Sequence, residues 1–255
     1  MAGPNSAGGR SSVRKTKSST TQSSGAGSVP RAVLPVGSSK RAELTDRDID
    51  ILTWITRHGV VTTEQIAKKF FPGTSGFSAA QRRIRKLTNT HPPVIRRDRT
   101  FWRYPAVIRV TASGANLTDC DLRPARLVLA EVAHSLGIVD LTEQLLAEHP
   151  GATLITERER RAELYRDKRA GERKATGRIP DGVLVLHSNP REIAIELDLS
   201  PRREKTVEAI VRAYQAERYA GVWWYVRPDR VARIAEIVKR CRADSFIEVR
   251  PWQAG

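Results

Sequence analysis

From Leu44 onward apolar residues recur at helical spacing, whereas the residues before it offer almost nothing to bury. Ile49, Leu52 and Ile55, with Ile51 alongside, define a first amphipathic helix. It opens at Thr45-Asp46-Arg47-Asp48, where a T-x-x-D cap puts acids in the first turn, and stops at Gly59. Trp54 is assigned to its core side. Thr62 with Gln65 opens a second helix with Ile66, Ala67 and Phe70 as its stripe, broken by Phe71-Pro72-Gly73. Ser78 with Gln81 reads as an S-x-x-Q cap for a third, with Ala80, Ile84 and Leu87 inward. Pro92-Pro93 ends it, and Val94–Arg96 and Ala106–Val110 then pair as strands around Asp98–Arg103. Three short helices and a hairpin are the order of a winged helix-turn-helix.

The pattern changes after a short helix and connection over residues 111–123. Leu127–Glu148 is apolar nearly all round, which predicts a helix held between layers. Strands are expected at Ala152–Thr156, Ile179–Leu186, Glu192–Leu199, Val222–Val226 and Phe246–Val249. A helix starting at Pro201, with Val207, Ile210, Val211 and Tyr214 buried, and another over Arg230–Arg242 separate the later strands. The charged stretch 157–177, with Gly171 and Gly177, reads as a mobile loop. The expected fold is therefore α/β (α+β): an N-terminal winged helix followed by a mixed-sheet α-β-β-β-α-β domain with helices on the sheet. The boundaries drawn are 1–42 for a disordered basic tail, 43–120 for the winged helix and 121–255 for the α/β domain.

Charge sharpens the first half. The chain has 255 residues and a formal net charge of +16. Residues 1–42 contribute +7, residues 78–103 another +7, and everything else only +2. Such localisation points to a polyanion, and on a helix-plus-hairpin it points to double-stranded DNA. By helical geometry Gln81, Arg82, Arg85 and Asn89 face away from the core and are the candidates for base edges, since Arg suits guanine and Asn or Gln suits adenine. Lys86 on the flank and Arg96, Arg97, Arg99 and Arg103 on the hairpin are the candidates for backbone phosphates. Phe101 and Trp102 are read as covering the small core beside the wing rather than as groove wedges. Cys120 and Cys241 have neither metal-ligand nor disulfide-framework spacing and are expected to be reduced thiols. No apolar run approaches a membrane span and no signal peptide is evident, so a cytoplasmic, nucleoid- or plasmid-associated protein is expected.

The second half carries an acidic constellation. Alternation along 193–199 places Glu196 and Asp198 on one face of a strand. A four-residue loop at 187–190 would pair Leu186 with Arg191 and set Asp181 opposite Glu196. Three carboxylates meeting on a sheet are a candidate Mg²⁺ site, and a metal there would activate water for phosphodiester hydrolysis. Pro180-Asp181, fourteen residues, then Glu196-Leu197-Asp198 resembles the restriction-endonuclease-like PD-(D/E)xK core. That resemblance implies Asp181 and Glu196 as metal ligands; the chain departs from it at Asp198, a ligand candidate from the carboxylate cluster that stands where the Lys assisting the attacking water is expected, with Lys205, or Arg202 and Arg203, as that Lys's stand-in.

A wider resemblance covers residues from about Leu44 to Val226. LTDRDIDILTWITRHGVVTTEQIAKKFFPG, PAVIRVTASGA, AHSLGIVDL, ITERERR, RIPDGVLVL, IELDLS and a Tyr at 214 together look like the replication-relaxation family of actinobacteria and their mobile elements. The chain departs from it after IELDLS, where Ser200-Pro201-Arg202 and Ile210 stand in place of Gly-Thr-Glu and a helix Lys. The resemblance implies DNA binding in plasmid or mobile-element replication, mobilisation or its control. A relaxase or replication protein would be a partner, and a homodimer is left open. His134 matches a helix histidine of the family; from the residues alone it reads as a satisfied core side chain. Two alternatives stay open: a Mg²⁺-dependent nickase or endonuclease targeted by the winged helix, and a plain transcriptional regulator. Absent an active nuclease site, no enzyme activity and no cofactor are expected.

Overall fold

The structure, a computed structural model, describes residues 44–99, 105–170, 178–187 and 191–253. The tail at 1–42, Phe101, Trp102, Arg103, the segment 171–177 and the turn residues 188–190 lie outside the described residues. The described residues belong to one compact unit.

Its first part is helical. Helix α1 spans Asp46–His58, strand β1 Val61–Thr62, α2 Thr63–Phe70, α3 Gly76–Thr88, β2 Ile95–Asp98 and β3 Val107–Val110. The three strands form an antiparallel sheet in the order β1-β3-β2, so the element order of a winged helix is the one observed. Two of the three expected caps form. Asp48 accepts from the backbone N–H of Thr45 at 2.6 Å and its hydroxyl at 2.7 Å. In α2, Thr62 and Gln65 bond reciprocally at 3.0 and 3.1 Å. Gly59 closes α1 at φ 86, a conformation suited to glycine. The third cap is corrected: α3 starts at Gly76, with Ser75 before it, and Ser78 and Gln81 are exposed helix residues. The first turn of α3 packs on the end of α2 at Gly76, a position that requires glycine because a Cβ there would meet the Phe71 carbonyl oxygen at 1.8 Å. Ile51, Leu52, Trp54, Ile66, Ala80, Ile84, Leu87 and Ile108 fill the core between these elements.

After the short helix α4 (Ala112–Ala115) come α5 (Val132–Glu148), β4 (Thr153–Thr156), α6 (Glu157–Ala170), β5 (Gly182–Leu186) and β6 (Arg191–Asp198). Helix α7 (Glu204–Gln215), β7 (Gly221–Val226), α8 (Val231–Arg240) and β8 (Ile247–Pro251) complete the chain. The five strands lie in sequence order. β4, β5 and β6 pair antiparallel, and β6, β7 and β8 parallel, giving the expected mixed sheet. Alternation assigns the faces. Ile193, Ile195 and Leu197 pack with Leu141 and Leu145 of α5, while Ala194, Val222 and Trp224 pack with α7 and α8.

Two expectations change. The helix over 127–148 begins only at Val132, after a tight turn at Leu129–Glu131, because Leu127 packs in the extended connection against Val60, Val107 and Val132. The stretch 157–177 is helical as far as Ala170. Its signal is a T-x-x-E cap: the Thr156 N–H donates to Glu159 Oε2 at 2.8 Å, and the Glu159 N–H donates to Thr156 Oγ1 at 3.3 Å.

Helix α5 is the layer between the parts, as its all-round apolarity predicts. Val139 enters the first core while Leu141 and Leu145 enter the sheet core. Polar bonds reinforce the junction. Gln65 donates to the Leu136 carbonyl and to Asp140, the Trp54 indole to Glu143 at 2.8 Å, and Arg57 to Glu159 at 2.7 Å. Trp54 is thus a core residue with a satisfied N–H. Among the described residues no helix is long and apolar enough to cross a membrane, and Cys120 and Cys241 are free thiols.

Candidate functional site

Two charged regions answer to the residues singled out in the sequence. The first is α3 with β2. Ala80, Ile84 and Leu87 hold one side of α3 in the core, which leaves Gln81, Arg82, Arg85, Lys86 and Asn89 exposed. The helix carries no acid. On β2, Arg97 shares a face with Ile95, which is buried in the same core as α3. A cleft of about 230 Å³ results, in which Gln81, Arg85 and Asn89 from α3 meet Arg97 from β2. Among the described residues none of Arg82, Arg85, Lys86, Arg97 and Arg99 is ion-paired.

Arg96 points the other way. It bonds Asp98 at 3.0 Å, and Asp98 also accepts from Arg109, the residue opposite Arg96 in the ladder. This neutralises part of the hairpin, so Arg96 is a weaker phosphate candidate than Arg97 or Arg99. Arg83 serves the fold. It bridges to Asp48, whose side chain is 1% exposed. Burial disfavours the Asp48 carboxylate, but Arg83 and the donors of Thr45 outweigh burial and hold its pKa below the usual value. Position settles this: Arg83 lies on the inner flank of α3, between the core positions Ala80 and Leu87, so helical spacing alone could have assigned it.

The second region is the acidic constellation. The register is the expected one, with Leu186 opposite Arg191 and Gly182 opposite Ile195. Glu196 and Asp198 do share the face that carries α7 and α8, but Asp181 precedes the strand and leaves the pleat. Its Oδ2 accepts from the Leu197 backbone N–H at 2.8 Å, and its Oδ1 lies 3.2 Å from Nε2 of His134 on α5. His134 is therefore a partly exposed partner of Asp181 rather than a core residue. The Asp181 hydrogen bond raises its pKa, against the effect of burial.

Glu196, 3% exposed, is gripped by both arms of Arg178 at 2.9 and 2.8 Å and by the Tyr214 hydroxyl. Burial first, and then the Asp181 charge, push it above the usual carboxylate range. Tyr214 is itself fully buried, so its phenol is bound to this carboxylate rather than presented to a nucleic acid. Asp198, 2% exposed, is held by Arg202 at 3.1 Å and Arg230 at 3.3 Å. Lys205 is exposed on α7, and none of the described carboxylates lies within ion-pairing distance of it.

The donor set does not fit Mg²⁺. Each candidate carboxylate is already saturated by guanidinium, phenol, imidazole or backbone donors, and among the described residues no three His, Cys, Asp or Glu converge as a metal group. The cavity beside His134 and Asp181 has only about 50 Å³, room for water but not for a phosphodiester. What the arrangement does is lock the end of β6 to α5, α7 and α8 through paired charges. The partners Arg178 and Arg230 carry no spacing signal in the sequence, because both reach their carboxylates through tertiary packing.

A family model described as replication-relaxation matches residues 52–229, from within α1 to the turn before α8. The chain belongs to the replication-relaxation family. The match takes in both charged regions of this replication-relaxation protein, the α3 face and the β5–β6 carboxylates. Among curated proteins and solved structures, nothing matches the chain.

Proposed function

We propose that the protein binds double-stranded DNA through α3 and the β2–β3 hairpin, and acts in the replication or mobilisation of plasmid or mobile-element DNA, or in its control. The observation that carries this reading is the outward face of α3. Gln81, Arg82, Arg85 and Lys86 are exposed on a helix without an acid, Asn89 is exposed at its C-cap, and Arg97 lines the same cleft. A helix of this width fits the major groove, with the hairpin beside it on the backbone. Gln81, Arg82, Arg85 and Asn89 are assigned to base edges, and Lys86, Arg97, Arg99 and, secondarily, Arg96 to phosphates. Family membership supports the setting in replication or mobilisation. The second half is read as a body that carries the DNA-binding part. Of the carboxylates needed for hydrolysis, Glu196 is occupied by Arg178, Asp198 by Arg202 and Arg230, and Asp181 by His134 and the Leu197 N–H, and no observation favours the nickase.

The test is a salt titration of duplex binding. With about six phosphates neutralised, log K falls against log salt with a slope of roughly −5. Absent or salt-insensitive binding rejects the reading. Footprinting over the DNA that flanks the protein's own coding region separates a replication or mobilisation factor from a transcriptional regulator.

A further inference from the structure

Phe77 is 49% exposed, one of four large hydrophobic side chains so exposed among the described residues. Val128 and Leu129 sit on the connection into α5, and Tyr165 on α6. Phe77 alone of the four lies on α3, in its first turn, one turn before the exposed Gln81. Its place on the helix follows from the seating of the first turn and from helical spacing. Because a Cβ at Gly76 would meet the Phe71 carbonyl oxygen at 1.8 Å, the start of α3 is seated on the end of α2 without slack. At about 100° per residue Phe77 stands roughly 20° around the helix from Ile84 and roughly 40° from Gln81, so it lies at the edge where the core stripe meets the polar face, in line with the cleft that Gln81, Ile84 and Arg85 line. A partner for it must be anionic around its rim and apolar at its centre. In the major groove only thymine offers this, since its 5-methyl group is the one apolar feature among the base edges. The N-terminal residues of a recognition helix are also the ones that reach those edges.

We propose that Phe77 is a specificity-determining residue that packs on the thymine 5-methyl group, so that the α3 site selects thymine-containing major grooves. This rests on the DNA-binding reading of α3 given above.

Deoxyuridine tests it, because it removes the methyl and leaves pairing intact. The affinities of wild type and Phe77→Ala are measured for the alternating duplexes poly(dA-dT) and poly(dA-dU) at one salt concentration, with a salt titration alongside. The wild type is expected to favour the thymine duplex by about fourfold or more, the effect of burying one methyl group. Phe77→Ala is expected to bind both duplexes alike with the salt slope of the wild type. Equal wild-type affinity for both duplexes overturns the proposal while leaving salt-dependent binding in place, and so does a Phe77→Ala variant that keeps the preference. A wild type that binds neither duplex removes the DNA-binding reading as well. Should Phe77→Ala lose its fold, Phe77→Gln takes its place, with the same loss of thymine preference expected and a retained preference overturning the proposal.

Discussion

The cations of α3 and those around the β5–β6 carboxylates are similar in number and opposite in condition. Arg82, Arg85, Lys86 and Arg97 are exposed and, among the described residues, meet no acid, whereas Arg178, Arg202 and Arg230 close on Glu196 and Asp198. Formal charge is thus a poor guide to function. A guanidinium already paired to a buried carboxylate has little left to offer a phosphate, and that carboxylate has little left to offer a metal. The first region keeps its charge available for a partner. The second uses its charge to fix the end of a strand between three helices.

The sharpest way to break the comparison lies within α3 itself, between two adjacent arginines. Arg83→Ala strands a buried Asp48 and is expected to cost roughly 3 kcal/mol of stability. Arg82→Ala is expected to stay within about 0.5 kcal/mol. Urea denaturation of both variants measures the difference, and equal losses would mean that the inner and outer faces of α3 are misassigned.

Proton linkage offers a second lever, confined to the carboxylate region. His134 and Glu196 both have raised values in the folded state. Their stabilisation is complete below the unfolded values, near 6.5 and 4.5, and is lost as pH rises through the folded ones. Stability is therefore expected to decline from mildly acidic to mildly alkaline pH, and His134→Gln should flatten that decline. Asp48 acts in the opposite sense. Its lowered value makes its contribution present above the unfolded value, near 3.8, and lost as the pH falls through the folded one. Thermal melts across pH would reveal both limbs, and an alkaline limb unchanged in His134→Gln would contradict the His134–Asp181 pairing.

Smaller effects are expected from added metal and from the hairpin. Millimolar Mg²⁺ should leave the thermal midpoint of the wild type unmoved, because Asp181, Glu196 and Asp198 already have partners and among the described residues no other donor set is open; a clear rise would restore the metal site. Arg97→Ala should weaken binding to all duplexes alike and reduce the salt slope by about 1. A change confined to particular sequences would move Arg97 from the phosphates to the bases.

Much of this was legible in the sequence, for local reasons. The T-x-x-D and T-x-x-Q caps, Gly59 and the stripe Ala80, Ile84, Leu87 are readable because helix signals act within a turn. The β5–β6 register followed from loop length and alternation. The T-x-x-E cap at Thr156 was equally local and was hidden only by the density of charge that follows it. What the sequence concealed is long-range. Asp181 leaves the shared face because it precedes its strand and finds His134 on another helix. Arg178 and Arg230 reach Glu196 and Asp198 across the fold, so three carboxylates that alternation brings together as a metal site are divided among cations instead.

The most direct measurement pairs two double variants, Arg85→Ala/Lys86→Ala on α3 and Lys205→Ala/Arg212→Ala on the exposed side of α7, in a salt titration of duplex binding by fluorescence anisotropy. The first pair is predicted to lower affinity and, because Lys86 is its phosphate contact, to cut the slope by about 1, while the second leaves both at wild-type values. Equal losses from the two pairs, or a loss from the second alone, would contradict the assignment of DNA to the face of α3.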